Sequence, residues 1–327
     1  MEKQLCTYAL FKILSENTDE EHVISSRRIF ELLEWKYDMA IERHKLYSAI
    51  RQLNDLGESI IYDRHKKGYY LSSRSFTKGE VYTLCNAIHA SNFISQEQSD
   101  ILISKLIGTL SRWGQSEYHD EVYKPNNKKS DNDALLENIE ITSAAINSNK
   151  KLSFFYMHHH IDNKRGLELD ITTQKLVTIE PRYICFVDGR PYLIAQGRKG
   201  SNYTHYRIDR MCFVEISEEK CIIPFNRIDA YEYADNNLFM FSGEKTTVKI
   251  KCHKRVLDAM IDIFGKEIII QKHNDDYYIF SVTVSSNGIV FLAQQYLDAI
   301  EVISPSWIHE RIKNNLRIAL DNYNIVE

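Results

Sequence analysis

Residues 179–196 read IEPRYICFVDGRPYLIAQ, and after a polar turn residues 204–211 read THYRIDRM. Short apolar runs alternate with polar positions here and are broken at Asp188-Gly189 and at Gly200-Ser201-Asn202. Period-two patterning with turn residues between the runs predicts antiparallel strands. Arg182, Arg190, Arg198, Arg207 and Arg210 fall within this stretch, with Tyr192, His205 and Tyr206 among them. Cations beside aromatic rings on a sheet suit an anionic, planar ligand such as a nucleotide. Arginines on the solvated face of an ordinary sheet would read the same way, so residue types alone leave both readings open.

Working outward, Leu152, Phe154, Tyr156 and His158 share one face of an earlier strand by period two. The order Phe154-Phe155-Tyr156, Glu180-Pro181, Tyr192-Leu193 and Tyr206-Arg207-Ile208-Asp209-Arg210-Met211 resembles the WYL domain of bacterial transcriptional regulators. Pro191 stands where the family's name triplet has Trp, and Thr204 stands where the later pattern often has Arg. The resemblance implies a small Sm-like or SH3-like β-barrel whose basic groove senses a nucleotide or a nucleic-acid fragment. Tyr156, His158, Tyr192, Gln196, His205, Arg207 and Arg210 are the candidate ligand contacts. Asp209, beside Arg207 and Arg210, is expected to form an ion pair that orients the arginines. The run His158-His159-His160 suggests a metal, but adjacent strand residues point to opposite faces and no carboxylate or thiol stands at zinc spacing. No metal or cofactor is expected, and of the three only His158 is kept as a ligand contact.

At the N-terminus Cys6, Ala9, Leu10, Ile13 and Leu14 mark one helix face. Ser25-Ser26 offer caps for a second helix with Ile29, Leu32, Leu33 and Tyr37 inward. A third runs from about Glu42 to Leu56 and stops at Gly57, with Leu46, Ala49, Ile50, Leu53 and Leu56 facing inward. Two short strands follow, Ser59–Asp63 and Gly68–Leu71, joined by Arg64-His65-Lys66-Lys67. Three helices and a basic hairpin form the layout of a winged helix-turn-helix. Arg43, His44, Lys45, Tyr47, Ser48 and Arg51 on the third helix are the expected major-groove readers. Arg64, Lys66 and Lys67 on the wing would hold the adjacent phosphates. Residues 1–73 carry eleven Lys/Arg against twelve Asp/Glu, so any DNA contact rests on local charge. Between Arg43 and Lys67 six bases face only Asp55, Glu58 and Asp63. That local excess favours DNA over protein as the partner of this winged helix, with salt-sensitive affinity.

Thr77 with Glu80 predicts a capping box, opening a helix over about Lys78–Ala90. Ser95 caps a second, over about Gln96–Ser111. From Gln115 to Asp133 the composition turns to Asn, Lys, Asp and Ser, which predicts a mobile loop. Its Lys124, Lys128 and Lys129 are read as a solvated spacer. After the WYL-like region a short helix is expected near Ala230–Met240. The chain then reads as strand 248–252, helix Val256–Phe264, and a hairpin of Ile268–His273 with Tyr277–Val284. A helix capped by Ser286, strand Ile300–Ile303 and a terminal helix after Ser304-Pro305 complete it. This βαββαβ order predicts a ferredoxin-like unit. The ending VISPSWIHERIKNNLRIALDNY resembles the C-terminal extension behind many WYL domains, which implies a role in a homodimer.

The expected fold class is therefore α+β multidomain: a winged helix-turn-helix head (1–74), a helical linker and mobile loop (75–133), a WYL domain (134–226), and a bridging helix with a C-terminal extension (227–327). A net charge of −4 over 327 residues gives no global nucleic-acid signature. Six scattered cysteines without a C-x-x-C pair suit a reducing cytosol, and the N-terminus lacks a secretory pattern. No run reaches the ~20 apolar residues of a membrane span. Phosphate-loop, dinucleotide, zinc-protease and nucleophile-elbow motifs are absent, so no enzyme is expected. The function expected is a cytoplasmic, homodimeric repressor whose grip on a double-stranded operator responds to a WYL-domain ligand. The alternative is an accessory module that binds nucleic acid and modulates a partner enzyme.

Overall fold

The computed structural model describes residues 2–121, 129–130, 132–162, 166–170, 176–196, 203–222, 233, 237, 241 and 243–324. It divides into two compact units, Met1–Asp133 and Ala134–Glu327.

The first unit opens with α1 (Glu2–Asn17), α2 (Ser26–Tyr37) and α3 (Arg43–Asp55). Ser25 is the cap of α2, its Oγ accepting from the Arg28 backbone N–H at 3.3 Å. Asp38, at φ 51°, ends the helix in the left-handed region. Gly57 takes φ 98° just beyond α3, a conformation that costs a residue without Cβ little. Strands β1 (Ile60–Asp63) and β2 (Gly68–Leu71) pair antiparallel, Ile60 opposite Leu71 and Asp63 opposite Gly68. Leu10, Ile13, Leu14, Ile29, Leu33, Leu46, Leu53, Ile60 and Leu71 close into one core. Thr18 stitches that core: its buried Oγ1 donates to the Leu14 carbonyl at 2.6 Å and accepts from the Leu71 amide at 3.1 Å.

Helices α4 (Lys78–Ala90) and α5 (Gln96–Ile107) follow, α4 with its full Thr77/Glu80 capping box. The second ends four residues earlier than expected. A further helix, α6 (Arg112–Glu121), then occupies part of the stretch read as a mobile loop. Its apolar anchors are sparse but sufficient: Tyr118 is buried against the Val81, Cys85, Ile103 and Ile107 cluster. Trp113 stacks on His22 at 4.5 Å between ring centroids. Lys129 is no solvated spacer, since its Nζ donates to the Ile88 and Ser91 carbonyls, both at 2.7 Å, at the end of α4. Lys124 and Lys128 lie outside the described residues.

In the second unit α7 (Leu135–Asn147) precedes β3 (Lys150–Tyr156), β4 (His158–Asp162), β5 (Gly166–Asp170), β6 (Val177–Val187), β7 (Arg190–Gln196), β8 (Tyr203–Arg207) and β9 (Met211–Lys220). Asp188 at φ 49° and Gly189 at φ 65° form the two-residue turn between β6 and β7, the geometry that a right-twisted hairpin requires. The main sheet runs β8-β7-β6-β3-β9, while β4 and β5 form a separate hairpin. The strand patterning read over 204–211 stops at Arg207, and Ile208–Arg210 form a 3-10 turn that hands the chain to β9. Among the described residues no β8–β9 ladder closes the sheet, so it is open at that edge. Helix α7 lies against it, with Asn138 Nδ2 donating to the Met211 carbonyl at 2.8 Å.

The chain ends with β10 (Lys245–His253), α8 (Leu257–Phe264), β11 (Gln271–Lys272), β12 (Tyr277–Ser285), α9 (Ser286–Gln295), β13 (Ile300–Ser304) and α10 (Ser306–Asn324). These strands make an antiparallel sheet in the order β11-β12-β10-β13. Val248, Ile250, Phe280, Val302, Ile289, Leu292 and Ile308 share its core. Strand β11 is shorter than the expected Ile268–His273. The helix after β12 is capped by Ser285, not Ser286, its Oγ accepting from the Gly288 amide at 3.2 Å. Most of the expected helix at 230–240 lies outside the described residues. No helix among the described residues is long and apolar enough to cross a membrane.

Candidate nucleic-acid interface and ligand groove

Two regions gather the chemistry, one in each unit. In the first, the inward positions of α3 (Leu46, Ala49, Leu53) bury one face and thereby turn the polar positions outward. Arg43, Tyr47 and Arg51 fall four residues apart and are all exposed. Arg43 Nε donates to the Tyr47 hydroxyl at 3.0 Å, and its guanidinium lies 5.7 Å from the centroid of that ring. His44 and Lys45 are exposed at the start of α3, His44 lying 3.0 Å from the Glu42 carboxylate. Ser48 is half-buried.

The hairpin turn is shaped by Asp63, whose Oδ1 accepts from the His65 and Lys66 amides at 2.7 and 2.9 Å. Those bonds hold its carboxyl below the ordinary range, against a small opposing effect of burial. Arg64 and Lys67 are exposed, and Lys67 sits at φ 53°. Among the described residues Lys45, Arg51, Arg64 and Lys67 make no side-chain hydrogen bond or ion pair. Lys66 differs: its Nζ donates to the Glu20 and Glu21 carbonyls at 2.9 and 3.0 Å. It is a strut within the unit, and the expected phosphate contact there is already engaged.

In the second unit, the ladder register builds a face across three strands. Cys185, Tyr192 and Arg207 lie side by side, as do Tyr183, Ile194 and His205, and then Glu180, Gln196 and Tyr203. Directly opposed residues of an antiparallel sheet share a face, so Tyr192, Gln196, His205 and Arg207 come together. From β3 the Tyr156 hydroxyl accepts from the Arg207 backbone amide at 3.1 Å, while its ring packs on Tyr206, which points to the opposite face of β8. Burial pushes the Tyr156 and Tyr192 hydroxyls up, although the nearby Arg207 opposes this in both. Both are neutral hydrogen-bonding groups near neutral pH. Phe154, Tyr156 and Tyr206 pack edge to face behind them, with centroids 5.3 to 6.3 Å apart.

Arg207 Nε and Nη2 donate to the two carboxylate oxygens of buried Asp209 at 3.0 and 2.5 Å. Burial works against the charge of Arg207, and the Asp209 carboxylate restores it. Three of the five Arg207 N–H groups remain, two on Nη1 and one on Nη2. Arg210 is half-buried, and its carbonyl accepts from the Met157 amide at 2.8 Å. His158 is exposed, its ring 5.1 Å from that of Tyr156. Arg182 is not a surface cation: it is buried and paired with Glu180 at 2.9 Å. Arg190 is exposed at the hairpin turn, and Arg198 lies outside the described residues. Among the described residues no three His, Cys, Asp or Glu side chains are grouped as a metal site.

Two residues of this face escaped the reading of the sequence. Tyr203 is two positions before His205 on β8, and the same alternation that selected His205 would have selected it. Tyr233 comes from beyond β9 and shares a 2.6 Å hydrogen bond with His205 Nε2. Nothing in the local pattern marks it.

A sequence-family profile described as the WYL domain matches residues 137–216. No curated protein matches the chain. Among solved structures, the chain is similar to proteasome accessory factor B/C of Arthrobacter aurescens at 14% identity and a TM-score of 0.27, with 98% of this chain covered. The chain spans about half, 47%, of that protein. It is also similar to a CRISPR Cas-related protein at 14% identity and a TM-score of 0.36, covering 98% of this chain and 93% of the other. The matched profile takes in α7, β3, the β6–β7 hairpin, β8 and most of β9, the elements that build the groove around Arg207. Residues 137–216 of this chain are a WYL domain.

Proposed function

We propose that this protein is a DNA-binding transcriptional regulator whose operator affinity is set by a ligand in its WYL domain. The observation that carries the reading is the exposed stripe Arg43–Tyr47–Arg51 on α3, beside the uncompensated Arg64 and Lys67 of the hairpin. Arginine forks and a tyrosine ring on one helix face have the chemistry to read base edges, and the hairpin cations have the reach for phosphates. Three helices with a hairpin packed on a single core support the winged helix-turn-helix reading of this unit.

The face of Tyr192, His205 and Arg207, with the Tyr156 hydroxyl on the Arg207 amide, supports a planar, anionic ligand, a nucleotide or a nucleic-acid fragment. Five strands in the order β8-β7-β6-β3-β9, joined by a 3-10 turn, support the Sm-like or SH3-like reading of this sheet. The order β11-β12-β10-β13 with its intervening helices supports a ferredoxin-like C-terminal unit. Ile318, Leu320 and Tyr323 are exposed on α10 and support a homodimer made there, with two heads on a two-fold operator. A repressor that binds and releases DNA, without catalysis, is the simplest such protein.

The test is a gel shift of the protein on the DNA upstream of its own gene, at two salt concentrations with competitor DNA. A variant carrying Arg43→Ala, Lys45→Ala and Arg51→Ala runs beside it. A discrete shift lost in the variant is expected. Binding that ignores both sequence and these substitutions would reject the operator reading in favour of a general nucleic-acid-binding module.

A further inference from the structure

The face that carries Arg207 already holds an aromatic ring that is not part of the sheet. Tyr233 packs edge to face on Tyr203 at 5.0 Å and on His205 at 5.4 Å between centroids. Its hydroxyl shares the 2.6 Å hydrogen bond with His205 Nε2. The residue belongs to the stretch between β9 and β10, which connects the two sheets of the second unit. Asn237, almost fully buried, donates from Nδ2 to the Tyr233 carbonyl at 2.7 Å and pins the ring's backbone. At the start of the same stretch, the Ile222 amide donates to Glu180 Oε1 at 3.0 Å, at the edge of the same face.

A planar ring against Tyr203 and His205, with a polar atom on the imidazole, makes the contacts that a nucleobase would make there. We propose that Tyr233 is a built-in occupant of the WYL groove, which a nucleobase-containing ligand must displace from His205 and Tyr203. This rests on the reading of that groove as a nucleotide or nucleic-acid site. Burial, with Tyr203 and Cys185 adding to it, pushes the Tyr233 hydroxyl up to about 12, so it is neutral at any working pH.

Two consequences follow from displacement. Apparent affinity is the intrinsic affinity multiplied by the fraction of molecules whose groove is empty, so weakening the plug tightens binding. Where displacement moves the Tyr233 backbone as well as its ring, it also breaks the Asn237 bond to the Tyr233 carbonyl. A ligand acts on the equilibrium only through its different affinity for the plugged and open forms, and here the difference is steric.

The test uses the full chain and a fluorescein-labelled single strand of about eight thymidines, within the roughly 4–16 nucleotides that small single-strand-binding domains cover. Anisotropy titrations compare the wild type with Tyr233→Phe, Tyr233→Ala and Arg207→Ala, and thermal unfolding verifies that each variant is folded. Loss of one neutral hydrogen bond predicts about five-fold tighter binding for Tyr233→Phe. Loss of the ring contacts as well predicts about ten-fold or more for Tyr233→Ala. If the wild type binds through Arg207 but both Tyr233 variants bind equally or more weakly, the plug is overturned and the groove reading stands. If no variant binds the strand, Tyr233→Ala included, the nucleic-acid reading fails and the plug fails with it. Binding seen only when Tyr233 is substituted supports the plug in its strongest form.

Discussion

Arg207 reaches forward two residues and clasps Asp209 with both Nε and Nη2, a fork closed across the start of a 3-10 turn. The carboxylate is buried and the guanidinium nearly so, with side-chain exposures of 5% and 18%. The pair holds the arginine flat against the face it shares with Tyr192.

Removing the carboxylate leaves that cation without its partner. Asp209→Ala is expected to cost about 3 kcal/mol of stability, the usual penalty for orphaning one half of a buried pair. Arg207→Lys, which cannot make the two parallel bonds, is expected to lose part of that stability and most of the ligand affinity. Urea denaturation and the oligonucleotide titration check the two effects separately.

On the head, the hairpin cations separate into two kinds. Arg64→Ala and Lys67→Ala should each weaken DNA binding at every sequence and lower the salt slope by about one. Lys66→Ala should leave that slope nearly unchanged, because its ammonium is engaged by the Glu20 and Glu21 carbonyls. It should instead lower the melting temperature. Binding isotherms over a salt series give the slopes.

The Asp19 carboxylate has a definite acid signature. Burial opposes its charge, but Ser111 Oγ donates to Oδ2 at 2.5 Å, and the His22 ring and amide bind Oδ1, both at 2.8 Å. The balance holds its carboxyl below the usual value. A group depressed in the folded state contributes its stability above its unfolded value, and loses it as pH falls through the folded one. The melting temperature should therefore drop as pH falls below about 4. Ser111→Ala and Asp19→Asn should flatten that drop, as measured by thermal unfolding across this acid range.

Gly68 begins β2 where it crosses the 23–24 segment. A Cβ there would meet Val23 Cγ2 at 2.6 Å and the Ile24 carbonyl oxygen at 3.0 Å. Those neighbours are held by the Ile24–Tyr69 bridge, with backbone bonds of 3.0 and 2.8 Å. Gly68→Ala should cost about 1–3 kcal/mol through overpacking and loosen the hairpin that carries Arg64 and Lys67. Hydrogen exchange at Tyr69 and Tyr70 would report the loosening.

Much of this architecture was legible in advance because its signals are local. Thr77 with Glu80, Ser25 before α2 and Gly57 after α3 each satisfy backbone groups within a turn of themselves. Asp188-Gly189 sets its own hairpin by tolerating positive φ at two successive positions. Where the reading failed, the deciding partner was distant. Helix α6 looked like a spacer because its anchors, Trp113 on His22 and Tyr118 in the α4–α5 core, are few and far apart in sequence. Lys129 looked solvated, and Lys66 looked available to phosphate, because the carbonyls they serve come from other segments.

By itself, then, the sequence determined the elements, their caps and turns, and which residues could lie on a common strand face. Those follow from short-range sterics and from the periods of helix and strand. Only the tertiary structure decided which charges were already engaged. It bound Lys66 and Lys129 to carbonyls of other segments and set Tyr233 on His205. Such pairings depend on where packed segments bring distant side chains, and no local pattern encodes that.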